Sequence, residues 1–213
     1  MSNPVQDSAF PPIYPILPEE ITGAEALKWA ESLIRAGCRL LQFRRKLGRD
    51  DEALDDLRTI VEIAHASSCR VVVNDRLDLC MMAAADGLHV GQEDIPPSEA
   101  RRVLGPEAVI GLSTHDEVRF MRALEEPIDY IALGPVFQTT SKEDASRVVP
   151  EPLQNKLTAL STLPVVAIGG ITPSRARKLY ERGFTSLAAI GAFGKEPAEA
   201  WRRFSGALTE RKE

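Results

Sequence analysis

From residue 13 to the end, short β-rich apolar runs alternate with longer amphipathic stretches, and this alternation leaves few folds open. The candidate strands are Ile13–Leu17, Arg39–Arg44, Arg70–Asn74, Gly87–Val90, Val109–Ser113, Tyr130–Gly134, Pro164–Ile168 and Ser186–Ile190. Helical spacing lies between them. Leu27, Ala30, Leu33 and Ile34 share one face of 24–36, and Leu54, Leu57, Val61 and Ala64 share one face of 51–66. A strand that returns to the same sheet edge through a helix must run parallel to its predecessor, with a right-handed crossover. Eight such units in 213 residues predict an α/β fold, a closed (β/α)₈ barrel of the TIM type. An open doubly wound sheet would show fewer strands and a glycine-rich dinucleotide turn after the first. Gly105 and Gly183 fall where helices should stop, a position suited to left-handed backbone. No linker, charge block or low-complexity tract divides the chain. One barrel domain over 1–213 is therefore expected, with residues 1–12 as a flexible extension.

Composition excludes several classes. No apolar run approaches the ~20 residues that span a bilayer, and the first residues lack the basic and apolar regions of a secretory leader. A soluble, cytoplasmic protein without a membrane partner is expected. The net charge of −5 offers no global field for a nucleic acid, so an anionic ligand must be held by local clusters. Cys38, Cys69 and Cys80 are odd in number and lack C-x-x-C spacing, which predicts buried thiols and no disulfide or zinc framework. The sequence leaves oligomeric state open and is compatible with a homo-oligomer.

Parallel barrels carry their sites at the carboxyl ends of the strands, and polar residues collect there. Along strand two, Leu40, Gln42 and Arg44 share one face while Leu41 and Phe43 share the other. If the second pair packs on helices, Gln42, Arg44 and Lys46 point into the barrel mouth, where an amide, a guanidinium and an ammonium suit a diphosphate. A solvated basic turn is the competing reading. Asn74 and Asp75 end strand three, and Asp94 follows strand four. The two carboxylates are the hard oxygen ligands Mg²⁺ takes, one or two at a time, beside phosphate and water. Helix capping by Asp75 and Asp94 is the alternative. Gly169-Gly170 precede Thr172 and Pro173, an N-cap and first helical residue whose N–H donors can wrap a phosphate together with the end of strand eight; a plain tight turn competes with this. The polar stretch 138–149, with Thr139, Ser141, Lys142 and Arg147, reads as a lid over a second anionic group, or as a solvated loop. His65 is expected to be structural. His89 and His115 stand at the barrel end as orienting partners or catalysts.

In chain order, Q-x-R-x-K (42–46), N-D (74–75), G-Q-E-D (91–94), G-x-S-x-H (111–115), G-P-V-F-x-T-x-S-K (134–142) and I-G-G-I (168–171) are together similar to the thiamine-phosphate synthase family, over residues about 13 to 208. The resemblance implies a transferase that joins a pyrimidine diphosphate to a thiazole phosphate, giving thiamine phosphate and pyrophosphate. By matching positions it implies that Gln42, Arg44, Lys46 and Asn74 hold the diphosphate and that Asp75 and Asp94 bind Mg²⁺. Ser113, Thr139, Ser141 and Lys142 would complete the substrate and pyrophosphate contacts, with Arg44, Lys46, Lys142 and Ser113 as the catalytic set. Gly170, Ile190 and Gly191 would hold the thiazole phosphate. Three positions depart from the pattern. Ile16-Leu17-Pro18-Glu19 replaces an I-T-D-like segment, Ser141 replaces a commoner threonine, and Gly191 stands where serine is frequent. Two rivals remain: a thiazole tautomerase on the same barrel, which lacks the diphosphate and metal positions, and a non-catalytic phosphate-ligand sensor.

Overall fold

Side-chain alternation along each strand sorts the apolar residues into two cores, and the computed structural model, described for residues 10–139 and 147–209, shows both. The elements follow one another as β1 (Ile13–Pro15), α1 (Gly23–Arg35), β2 (Leu40–Phe43), α2 (Asp50–His65), β3 (Arg70–Asn74), α3 (Leu77–Met82), β4 (Gly87–Val90) and α4 (Pro97–Leu104). The second half continues with β5 (Val109–Thr114), α5 (Glu117–Ala123), β6 (Tyr130–Leu133), α6 (Glu151–Leu160), β7 (Val165–Ile168), α7 (Pro173–Glu181), β8 (Ser186–Ala189) and α8 (Pro197–Thr209). All pairings are parallel, in the order β1-β8-β7-β6-β5-β4-β3-β2. An isolated bridge between Ile16 and Gln42 joins the two end strands, with the Leu17 N–H donating to the Gln42 carbonyl at 2.9 Å. The (β/α)₈ barrel expected from the alternation is thereby closed.

Leu41 and Phe43, Val71 and Val73, Ile131 and Leu133, and Val165 and Ala167 face the helices. Their neighbours Leu40, Val72, Tyr130, Ala132 and Val166 fill the barrel interior. The interior is packed by pairing large residues with absent ones: a Cβ on Gly111 would lie 2.1 Å from Tyr130 Cζ, so only glycine admits that ring. Phe10 closes the same interior, its ring centroid 5.0 Å from that of Tyr130. The stretch read as a flexible extension, 1–12, is therefore corrected at its end. Phe10 is buried because an apolar ring is needed beneath Tyr14 and Tyr130, and the Pro12 carbonyl accepts from Leu187 N–H at 3.0 Å.

At the amino ends of the strands, carboxylates tie loops to the sheet. Asp129 Oδ2 accepts from Ile110 N–H and from Arg101 Nη2, each at 2.7 Å. Asp86 Oδ2 accepts from Val71 N–H at 2.7 Å and lies 3.0 Å from His65 Nε2, which gives His65 the structural place expected for it. The three cysteines are buried and free. Among the described residues, no helix is long and apolar enough to cross a membrane.

Candidate active site

The carboxyl ends of β2 to β8 surround a cavity of about 260 Å³. Lys46, Asn74, Asp75 and Asp94 line one side, Ser113 and His115 another, and Gly169, Gly170, Ile190 and Gly191 the far wall. Thr139 also reaches it. Gln42 and Arg44 do not border this cavity directly. They line a narrow recess that shares His89, Ser113, Ile168, Ala188 and Ile190 with it. Ser141 and Lys142 lie outside the described residues.

On the first side, alternation along β2 does what the sequence predicts: Leu40 and Gln42 turn inward while Leu41 and Phe43 pack on helices. Arg44 is buried, and its Nη1 donates to Glu19 Oε2 at 2.8 Å. Its Nε–H is buried without a partner among the described residues, which leaves donor capacity at the recess. Glu19 was not anticipated as a site residue. It comes from the segment that departs from the family pattern, and the ion pair shows that a carboxylate after β1 is still present, one place further on.

Asp75 does not cap a helix, nor does Asp94. The N-caps of α3 and α4 are Arg76 and Pro96, neither with a side-chain cap, so the capping alternative fails for both acids. Asp75 adopts left-handed backbone, φ 61°, a conformation aspartate tolerates better than most residues, and its N–H donates to the His89 carbonyl at 2.8 Å. Asp94 Oδ2 accepts from Gly91 N–H at 2.7 Å, which fixes the β4 loop around it. Burial, and then the negative charge of neighbouring Asp94, push the Asp75 carboxyl above its ordinary range, while Lys46, with Nζ 3.4 Å from Asp75 Oδ2, pulls it back. Two crowded carboxylates suit a hard divalent cation, whose charge relieves their repulsion. Oxygen donors supplied in twos fit Mg²⁺, which leaves its remaining positions to phosphate and water.

The opposite wall is backbone. Gly169 and Gly170 have φ of 98° and 63°, and a Cβ would stand 2.5 Å from Pro135 Cβ in the first case and 2.6 Å from the Gln138 carbonyl oxygen in the second. Glycine is thus required twice, by conformation and by space. α7 begins at Pro173 with Thr172 as N-cap, as expected, yet the Thr172 hydroxyl is engaged with Ser174 Oγ at 3.0 Å and does not cap. Pro173 has no N–H and the Arg175 N–H donates to the Thr172 carbonyl at 3.0 Å, so the donors this turn can offer an anion are the Ser174 amide and the loop amides before Pro173. Arg175 fastens the loop by donating to the Gly170 carbonyl at 2.6 Å and by lying over Phe137, 4.4 Å from its centroid. After β8 the chain turns through a 3₁₀ segment, Gly191–Phe193, anchored where Trp29 Nε1 donates to the Phe193 carbonyl at 2.6 Å.

Between the walls, His115 Nδ1 lies 2.6 Å from the Gly134 carbonyl, tying the end of β5 to β6; this is an orienting contact. His89 lies 2.8 Å from both the Tyr130 and Ser113 hydroxyls. Tyr14 and Tyr130 were read only as strand residues. The signal for them was a phenol within a strand of small and apolar residues, since a buried Tyr hydroxyl needs a partner.

A family model described as thiamine monophosphate synthase matches residues 13–193. A thiamine-phosphate synthase of Koribacter versatilis is 35% identical over 200 residues, 92% of this chain and 94% of the relative. One from Synechococcus sp. strain WH7803 is 36% identical over 181 residues, 84% of this chain and 51% of the relative. The chain spans 36%, 51% and 46% of the length of the first three curated relatives it matches. Among solved structures, thiamine phosphate pyrophosphorylase from Pyrococcus furiosus superposes with a TM-score of 0.83 at 26% identity, covering 92% of this chain and 95% of that one.

Proposed function

Because the chain belongs to the thiamine monophosphate synthase family, we propose that it transfers the 4-amino-2-methylpyrimidinylmethyl group from its diphosphate to 4-methyl-5-(2-phosphoethyl)thiazole, releasing pyrophosphate. The observation that carries this reading is that one cavity has a cationic and acidic side, Lys46 with Asp75 and Asp94, facing a glycine backbone wall at Gly169-Gly170 and Ile190-Gly191. The first side suits a metal-bound diphosphate and the second a monophosphate, so the two substrates would enter from opposite walls with their reacting atoms between them.

In the reaction, the bond between the pyrimidine methylene carbon and the diphosphate oxygen breaks and its electron pair leaves on pyrophosphate. The thiazole nitrogen lone pair then forms the new carbon–nitrogen bond. Arg44, Lys46 and Lys142 oppose the negative charge growing on the leaving group, and Gln42, Asn74, Thr139 and Ser141 hold its oxygens and the pyrimidine in place. Ser113 orients the departing group. Asp75 and Asp94 would hold Mg²⁺, which when bound supplies further charge stabilisation to the diphosphate. Backbone donors at Gly170, Ile190 and Gly191 fix the thiazole phosphate, and with serine absent at 191 the backbone alone serves there. Capture of the pyrimidine cation by the thiazole nitrogen, with water kept from it, needs no side-chain nucleophile. Phosphorylated substrates that cross no bilayer unaided fit a cytoplasmic enzyme, and a homo-oligomer is compatible with this site.

A thiazole tautomerase would not need the diphosphate and metal positions that this chain keeps, and a sensor would bind without turnover. Purified protein given both substrates and Mg²⁺ should form thiamine phosphate, detected by fluorescence after oxidation. Binding without product at every metal concentration would end the synthase reading and favour the sensor.

A further inference from the structure

A continuous line of polar groups crosses the barrel interior and ends at the cavity. Gln42 Nε2 donates to the Tyr14 hydroxyl at 3.1 Å, and the Tyr14 and Tyr130 hydroxyls lie 3.1 Å apart. Tyr130 Oη is 2.8 Å from His89 Nδ1, and His89 Nε2 is 2.8 Å from Ser113 Oγ. Burial raises both phenols well above the ordinary tyrosine range, so each carries a proton that must be donated somewhere.

The direction of the line follows by elimination. Tyr14 already accepts from Gln42, so its own proton goes to Tyr130. Tyr130, accepting from Tyr14, gives its proton to His89 Nδ1. With Nδ1 an acceptor, the ring proton sits on Nε2 and points at Ser113 Oγ. The Ser113 oxygen is then an acceptor towards the protein, and its hydrogen is left for the cavity it lines.

We infer that Gln42, Tyr14, Tyr130 and His89 form a polarised hydrogen-bond wire that turns the Ser113 hydroxyl into a donor, so that Ser113 selects an acceptor atom of the ligand. In the proposed reaction, on which the identity of the ligand rests, that atom is a diphosphate oxygen or an unprotonated pyrimidine nitrogen. Tyr14, Tyr130 and His89 are positioning residues.

The test begins with ligand-free protein carrying ¹⁵N-labelled histidine. A long-range proton–nitrogen spectrum should show His89 protonated on Nε2 and unprotonated on Nδ1. A proton on Nδ1, or on both nitrogens, would overturn the wire. Tyr130→Phe, nearly isosteric, should shift His89 away from the single Nε2–H tautomer and weaken binding about 10-fold for one of two probes, the same one that Ser113→Ala weakens. Those probes are pyrophosphate with Mg²⁺, if the acceptor is a phosphate oxygen, and the unphosphorylated pyrimidine alcohol, if it is a ring nitrogen. Unchanged binding of both probes in both variants would refute the selection role. Should Tyr130→Phe not fold, the wild-type spectrum decides alone. The predicted tautomer without turnover would remove the proposed activity and leave the wire standing.

Discussion

Asp75 combines left-handed backbone with a carboxyl held above its ordinary range by burial and by Asp94, so it sits at a local cost to folding. A carboxyl with a raised folded-state pKa binds its proton more tightly in the folded chain. Its penalty is therefore full at neutral pH and is relieved as pH falls through the folded value towards the unfolded value of about 3.9. Asp75→Asn, which keeps the left-handed preference, should raise the metal-free Tm at pH 7.5 by on the order of 2 °C, with the gain shrinking in calorimetry as pH falls and gone below about pH 4. The same variant should lose about 100-fold or more in turnover, the scale of removing a preorganised charge contact. An Mg²⁺ dependence equal to wild type would count against Asp75 as a ligand. Glu19 acts on the neighbouring guanidinium through the 2.8 Å pair to Arg44. Glu19→Ala should raise KM for the diphosphate substrate about 10-fold with kcat nearly kept, since the charge of Arg44 remains and its orientation is lost.

The elements that carry the site were readable because β2, β3 and β5 run into polar residues and the side chains along a strand have period two. β2 shows this well, with Leu41 and Phe43 on the helices and Leu40 and Gln42 inside. The recess beneath the cavity and the wire through it were not readable. Both depend on which residue lies beside which across the sheet, as when Gly111 pairs with Tyr130 in the β5–β6 register. A single chain of letters gives the face of a residue but not its lateral neighbour. Gly111→Ala would drive a methyl into the Tyr130 ring and should cost about 1–3 kcal/mol in denaturant unfolding, with the His89 tautomer disturbed as well. On the β7–α7 loop, Gly170→Ala meets both a φ of 63° and the Gln138 carbonyl. It should raise KM for the thiazole phosphate while leaving pyrophosphate binding within about twofold, because the sites proposed for the two anions lie on opposite walls.

At the scale of the whole barrel, stability and chemistry divide between the two rims. Asp129, buried at the amino end of β6 with Arg101 and the Ile110 amide on its Oδ2, belongs to the first. Asp129→Ala should cost about 2–3 kcal/mol, less than a fully buried pair because Arg101 is partly exposed, and should leave kcat unchanged below the lowered Tm. The closed barrel was legible from the eight-fold alternation, but its amino-terminal limit was not, because Phe10 is an isolated apolar residue in a polar, proline-containing stretch and only the packed interior gives it a place. The central claim is that the two walls of one cavity serve one transfer. It is tested most directly by counting pyrophosphate released against thiamine phosphate formed, with both substrates, with each alone, and with Mg²⁺ or a chelator. The account predicts one pyrophosphate for each thiamine phosphate, only when both substrates and Mg²⁺ are present. Pyrophosphate release independent of the thiazole phosphate, or equal product with the metal chelated, would contradict it.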